Sequence, residues 1–208
     1  MAGPQHSAFH FDTSANFAIG TNASLDEVEA ILSIAGEQKA EIINGELIFM
    51  SPTGGDPGYA GDEIYSSLRA YAKERGIGRA MSDNKAFLVV LPKRKSFSPD
   101  AAYYLGPRPG MKFYRGAPIF AVEVRSEGDY GPAAEFAMAE KRADYFAAGT
   151  LVVWDVDLLS DDVVRVHRAD APDTPTRYRR GQTAEAEPAV PGWSMSVDEL
   201  FDCSGETT

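Results

Sequence analysis

IFAVEV, residues 119–124, is apolar on both faces of an extended chain except at one position, Glu123. A run of that kind reads as a central strand covered on both sides. Towards the C-terminus, Pro132 opens and Gly149 closes a helix whose main apolar stripe is Phe136, Ala139, Ala143 and Ala147. LVVWDV, 151–156, then reads as a buried strand and VVRVHR, 163–168, as an alternating one with an exposed His167. A short strand around Tyr178, then Trp193 and a capped turn from Ser196 to Phe201, complete that side. Towards the N-terminus, strands are predicted over 80–91 and 97–105. Before them a helix starts at Asp56-Pro57 or Asp62, carries Ile64, Leu68, Tyr71 and Ala72 on one stripe, and stops at Gly76. AEIINGELIFM, 40–50, is a hairpin, because Asn44-Gly45 supplies the positive φ of a two-residue turn. That turn pairs Ile43 with Glu46 and Glu41 with Ile48, so both acids share one face. Ser24 and Glu27 form a capping box for a first helix, which Gly36 ends as a left-handed cap. One α/β domain follows, a mixed β-sheet flanked by helices, over residues 23–202, with an arm at 1–22 and a tail at 203–208.

Composition narrows the functional classes. The 208 residues carry 31 acids against 20 bases, a net charge of −11, which argues against coating nucleic acid or anionic membrane by bulk charge. A single cysteine, Cys203, excludes an internal disulfide and a multi-cysteine zinc site. His6 and His10 lie in the arm and read as frayed-tail residues. The apolar runs are far shorter than a membrane helix, and the start lacks a secretory h-region, so a cytoplasmic protein without a membrane partner is expected.

Glu123 is the residue that asks for chemistry. An ionised carboxylate in a central strand needs an ion pair or a cation. Arg125, two residues on and on the same face, is the structural candidate for that pair. Asp100, after Pro99 at the head of AAYYL, stands at a strand start; two acids on neighbouring strands can hold Mg²⁺ or Mn²⁺ with water positions open. Lys141 lies in the helix between Met138 and Tyr145, either covering apolar surface or aiming its ammonium at the carboxylates. Three basic clusters are available to a polyanion: Lys93/Arg94/Lys95, Arg108/Lys112/Arg115 with Phe113 and Tyr114 interleaved, and Arg177/Arg179/Arg180. No G-x-S-x-G elbow and no Gly-Lys-Ser/Thr phosphate loop is present.

EIINGELIFMSPTG, SPDAAYY, AVEVRS, EKRADYFAAGTLVVWDVD and PGWSMSVDELF, in that order from about residue 24 to 202, resemble the Uma-type restriction-endonuclease-like family of the PD-(D/E)XK nuclease superfamily. The resemblance implies a restriction-endonuclease-like sheet with an N-terminal helix and β-hairpin. It implies metal-dependent endonuclease activity on phosphodiester bonds of DNA, with Asp100 and Glu123 binding Mg²⁺ or Mn²⁺ and Lys141 as the catalytic amine. Glu46 or Glu63 is the expected additional ligand; Arg108, Lys112, Arg115 and Arg125 are the expected contacts to nucleic acid. Arg125 stands where the superfamily lysine usually does, and arginine cannot serve as a base near neutral pH. That departure leaves a second expectation, a nuclease fold kept as a binding or assembly module without turnover. Homodimers that cut two strands are common among such nucleases, so a second copy is a further expected partner.

Overall fold

In the computed structural model the described residues are 19–20 and 22–201. His6, His10, Cys203, the 203–208 tail and all of the 1–22 arm except Ile19, Gly20 and Asn22 lie outside them. The elements are α1 (Leu25–Leu32), β1 (Ala40–Ile43), β2 (Glu46–Phe49), α2 (Gly55–Arg75), β3 (Arg79–Ser82), β4 (Phe87–Leu88), β5 (Ser96–Phe97) and β6 (Ala101–Tyr104). They continue as β7 (Tyr114–Arg115), β8 (Phe120–Val124), α3 (Pro132–Ala147), β9 (Val152–Val156), β10 (Val164–Arg168), β11 (Ala171–Tyr178), β12 (Thr183–Glu185) and β13 (Ser194–Ser196). Short 3₁₀ turns follow α1 and close the described chain.

The main sheet has the order β11-β10-β9-β8-β6-β3 and is antiparallel except for β8 beside β9. IFAVEV therefore does form a central strand. Its parallel neighbour is reached through α3, which packs over one face of the sheet, because parallel strands need a crossover. Alternation sorts the side chains. Phe120, Val122 and Val124 with Val152, Trp154 and Val156 join Ile64 and Leu68 of α2 and Trp193 in one core. Ala121 and Val153 join Tyr145 of α3, Phe97 and Phe87 in the other. Among the described residues no helix is long and apolar enough to cross a membrane.

Local chemistry sets the boundaries. The capping box forms as expected, with Ser24 N–H donating to Glu27 (2.8 Å) and Glu27 N–H donating to Ser24 Oγ (3.3 Å). Asn44 (φ 53°) and Gly45 (φ 83°) close the hairpin in the predicted register. Gly76 caps α2 in the left-handed conformation, φ 66°. Several expectations are corrected. Gly36 has φ 62° but ψ −122°, so it closes a 3₁₀ turn outside the left-handed helical region. Of the two expected starts of α2 the Asp62 one falls away: the helix begins at Gly55, one residue before Asp56-Pro57, with Pro57 in its first turn, where no N–H is needed. The 80–91 and 97–105 strands are each broken in two; in the second, Ser98-Pro99-Asp100 interrupts the ladder. The Phe136 stripe of α3 faces solvent (Phe136 is 65% exposed), and the inward face is Met138, Lys141, Arg142 and Tyr145. His167 is buried rather than exposed.

Candidate active site

Asp100 and Glu123 meet at the junction of β6 and β8. Asp100 N–H donates to the Val122 carbonyl (3.0 Å), and Val124 N–H donates to Asp100 Oδ2 (2.7 Å), which fixes the aspartate beside Glu123. Glu123 points towards α3. Lys141 Nζ donates to its Oε2 at 2.8 Å and Tyr145 OH to its Oε1 at 2.7 Å. The Tyr145 ring is stacked on Phe97 at 3.9 Å between centroids, so the phenol is held by its ring face as well as by its hydroxyl. The structure thus brings Asp100, Glu123 and Lys141 together.

Three further residues complete the cluster, and the sequence reading did not single them out. Glu41, 1% exposed on β1, lies 3.0 Å from Lys141 Nζ, accepts from Ser98 N–H at 2.9 Å and is ion-paired with buried Arg94. Arg94 also donates to Asp144 of α3 at 2.8 Å. Lys39 Nζ sits between Asp100 Oδ1 (2.7 Å) and Asp83 Oδ1 (2.6 Å). Tyr145 is the third. The signal for Glu41 was present: the hairpin register puts it on the same face as Glu46. What could not be read was which end of that face is packed. Glu46 is exposed and takes no part in these contacts, and half-buried Glu63 on α2 does not either.

Electrostatics assign protonation. Burial pushes the Glu123 carboxyl up; Lys141 opposes this, but Asp100 and Glu41 add to the rise. Burial also pushes Glu41 up, yet Lys141 and Arg94 overrule it and hold that carboxyl below the usual range. Lys141 would be lowered by burial, but Glu123 and Glu41 raise it, so it stays an ammonium at neutral pH. Burial, then the charges of Glu123 and Glu41, drive Tyr145 well up, which keeps its proton on the bond to Glu123.

The expected nucleic-acid contacts are placed differently. Arg125 does not pair with Glu123. Its guanidinium grips Asp155 through two bonds (2.8 and 2.9 Å) and also binds Glu135, with its side chain only 2% exposed. It is committed to the fold. Arg108 is exposed; Lys112 and Arg115 are exposed but reach Glu29 of α1, at 3.8 and 3.3 Å. Arg94 and Lys95 are buried, and Arg177 and Arg179 pair with Asp162 at 3.3 and 2.9 Å.

The donors suit a hard divalent ion. Asp100 and Glu123 offer only carboxylate oxygens, and Mg²⁺ is commonly held by one or two carboxylates with waters completing its shell. Among the described residues no group of three or more His, Cys, Asp or Glu side chains is placed to hold a metal ion. The carboxylates brought together are Asp100 and Glu123, with the amines of Lys39 and Lys141 alongside.

The sequence profile of the Uma2 family, described as "Putative restriction endonuclease", matches residues 25–198. The fold is similar to that of a "putative nuclease belonging to DUF820" from Anabaena variabilis, with a TM-score of 0.66 at 19% identity, covering 86% of this chain and 97% of that one. No curated protein sequence matches the chain.

Proposed function

The chain belongs to the Uma2 family, and we propose that it is a divalent-metal-dependent endonuclease that hydrolyses phosphodiester bonds of DNA. The observation that carries the reading is Asp100 beside Glu123 on neighbouring strands, with the Lys141 ammonium 2.8 Å from Glu123. Asp100 and Glu123 are the residues that would hold Mg²⁺ or Mn²⁺. Such an ion supplies neutralisation of phosphate charge and acidification of the attacking water.

The chain's own groups do the rest. Tyr145 and Lys141 together fix both oxygens of Glu123, so the carboxylate is presented in one orientation. Lys141 is gripped by Glu123 and Glu41, and with its proton retained it orients a nucleophile or steadies growing negative charge. It does not act as a base. Asp100 keeps Oδ2 on Val124 N–H, and its Oδ1 carries the Lys39 ammonium. Arg108, Lys112 and Arg115 provide the exposed cations for a strand to approach, while half-buried Phe113 and Tyr114 between them pack inward, Tyr114 stacked on Phe87.

Manganese titration and a cleavage screen on the parent and three variants test this. Asp100→Ala and Glu123→Ala should lose both metal binding and cleavage. Lys141→Ala should retain binding and lose cleavage. All three variants behaving like the parent in both assays would refute the assignment. A parent that binds metal and DNA without cutting would favour the binding-module alternative.

A further inference from the structure

The Lys39 ammonium sits on Asp100 Oδ1, the carboxylate oxygen that does not accept the Val124 N–H. Asp100 Oδ2 is committed to Val124 N–H, and Oδ1 carries Lys39 at 2.7 Å. An ammonium and a divalent ion in contact with that one oxygen repel each other, so each weakens the other's hold on it. Lys39 has a second anchor. Asp83, in the turn after β3, accepts its ammonium at 2.6 Å. The lysine side chain is 13% exposed and Asp83 38%, so the pair spans the boundary between the packed site and solvent.

A cavity of about 120 Å³ borders both acids, lined by Thr53, Pro57, Gly58, Gly61, Asp62, Asp83 and Asp100. Gly58 and Gly61 of α2 present backbone there, and a Cβ at Gly61 would stand 3.7 Å from Asp100 Cβ. At ~30 Å³ per water, the space holds several waters, enough for a hydrated ion to come up to Asp100.

We propose that Lys39 is a resident counter-cation of the acidic site, which yields Asp100 Oδ1 to the incoming divalent ion and is kept at hand by Asp83. This rests on the metal reading of Asp100 and Glu123. Asp83 is then a dock for the displaced ammonium and Lys39 a positioning residue, with neither touching the reacting atoms. Metal affinity reports a competition, so removing the competitor tightens binding, an outcome that a structural role for Lys39 does not produce.

The test is calorimetric Mn²⁺ titration of the full chain. Lys39→Met should bind Mn²⁺ about tenfold more tightly than the parent, within the span usual for coupled sites. Lys39→Gln, which keeps a donor for both acids, should move the same way and serves if the methionine variant does not fold. Asp83→Asn should weaken binding, because Lys39 then rests on Asp100 alone. In the Lys39→Met background the same Asp83→Asn change should have no effect. Unchanged or weaker binding by both Lys39 variants would overturn the competition. An Asp83→Asn loss that persists in full without Lys39 would make Asp83 a ligand and overturn the dock. A parent that binds no Mn²⁺ would overturn the metal reading itself, while a parent that binds and is not tightened overturns this inference alone.

Discussion

Replacing Lys141 by methionine removes the cation shared by Glu123 and Glu41 and keeps most of the side-chain volume. Its ammonium is 2.8 Å from one carboxylate and 3.0 Å from the other, with 17% of the side chain exposed. At an effective dielectric of ~20 each attraction is about 6 kcal/mol. Taking the ammonium out of water cancels much of that, and breaking one member out of a buried ion cluster costs about 3–5 kcal/mol. Arg94 on Glu41 and Tyr145 on Glu123 remain, which places the expected loss towards the lower end of that range. Urea unfolding at neutral pH, with and without Mn²⁺, measures it. The metal-free variant should lose about 3 kcal/mol. Mn²⁺ at a hundred times its Kd should return about 2.7 kcal/mol to the variant, because a ligand that binds only the folded chain stabilises it. A variant as stable as the parent without metal would refute the placement of this ammonium as the charge that balances the two acids.

Tyr145→Phe keeps the stack on Phe97 and removes one donor to a buried carboxylate; unfolding should show a loss of about 1.5–3 kcal/mol, and no loss would mean that the bond does not form. His167 donates from Nδ1 to the Pro172 carbonyl at 3.0 Å and its Nε2 is buried without a partner, so burial drives the imidazole pKa down. The unfolded chain then binds a proton below ~6.5 that the folded chain refuses, so stability should fall as pH drops through that value, by at most about 1.4 kcal/mol per pH unit. His167→Gln should flatten that slope in denaturation curves taken between pH 5 and pH 8, and an unaltered slope would refute the assignment. Gly76 and Gly78 have nearly equal φ, 66° and 69°, but a Cβ at Gly76 meets open space while one at Gly78 falls 2.5 Å from the Tyr103 ring. Gly76→Ala should cost about 1–2 kcal/mol by thermal melting and Gly78→Ala distinctly more; equal losses would count against the close approach of Tyr103.

Much of the geometry of the candidate site was readable from the chain alone, and the misreadings share a cause. Asn44-Gly45 fixed a register, and an acid inside IFAVEV demanded a partner; both are local rules that the structure obeys. Pairing Glu123 with Arg125 followed from their shared face. That rule is blind to Asp155, on the adjacent strand and opposite Glu123, which takes Arg125 instead. The α3 stripe failed similarly. Periodicity selects the greasiest face, Phe136 to Ala147, but the sheet beneath carries Glu123 and Asp155, and the helix turns Lys141 and Arg142 towards them. Glu41 depends on Arg94, 53 residues later, a long-range contact with no trace in spacing. Glu46, expected with Glu63 as a source of the additional ligand, lies at the exposed end of the same hairpin face.

The crossover from β8 to β9 through α3 has a consequence for assembly. Glu123 and Asp155 are installed by strand pairing, whereas Lys141 and Arg142 arrive only when the helix lies down, and Glu41 only when the hairpin closes over it. A half-built molecule with its strands zipped and its helix loose would leave Glu123 without its ammonium, while Arg125 and Arg165 of the sheet would already hold Asp155. Docking of helix and hairpin brings Glu123 and Glu41 the one ammonium they share, so the charge balance closes only when all three pieces are in place.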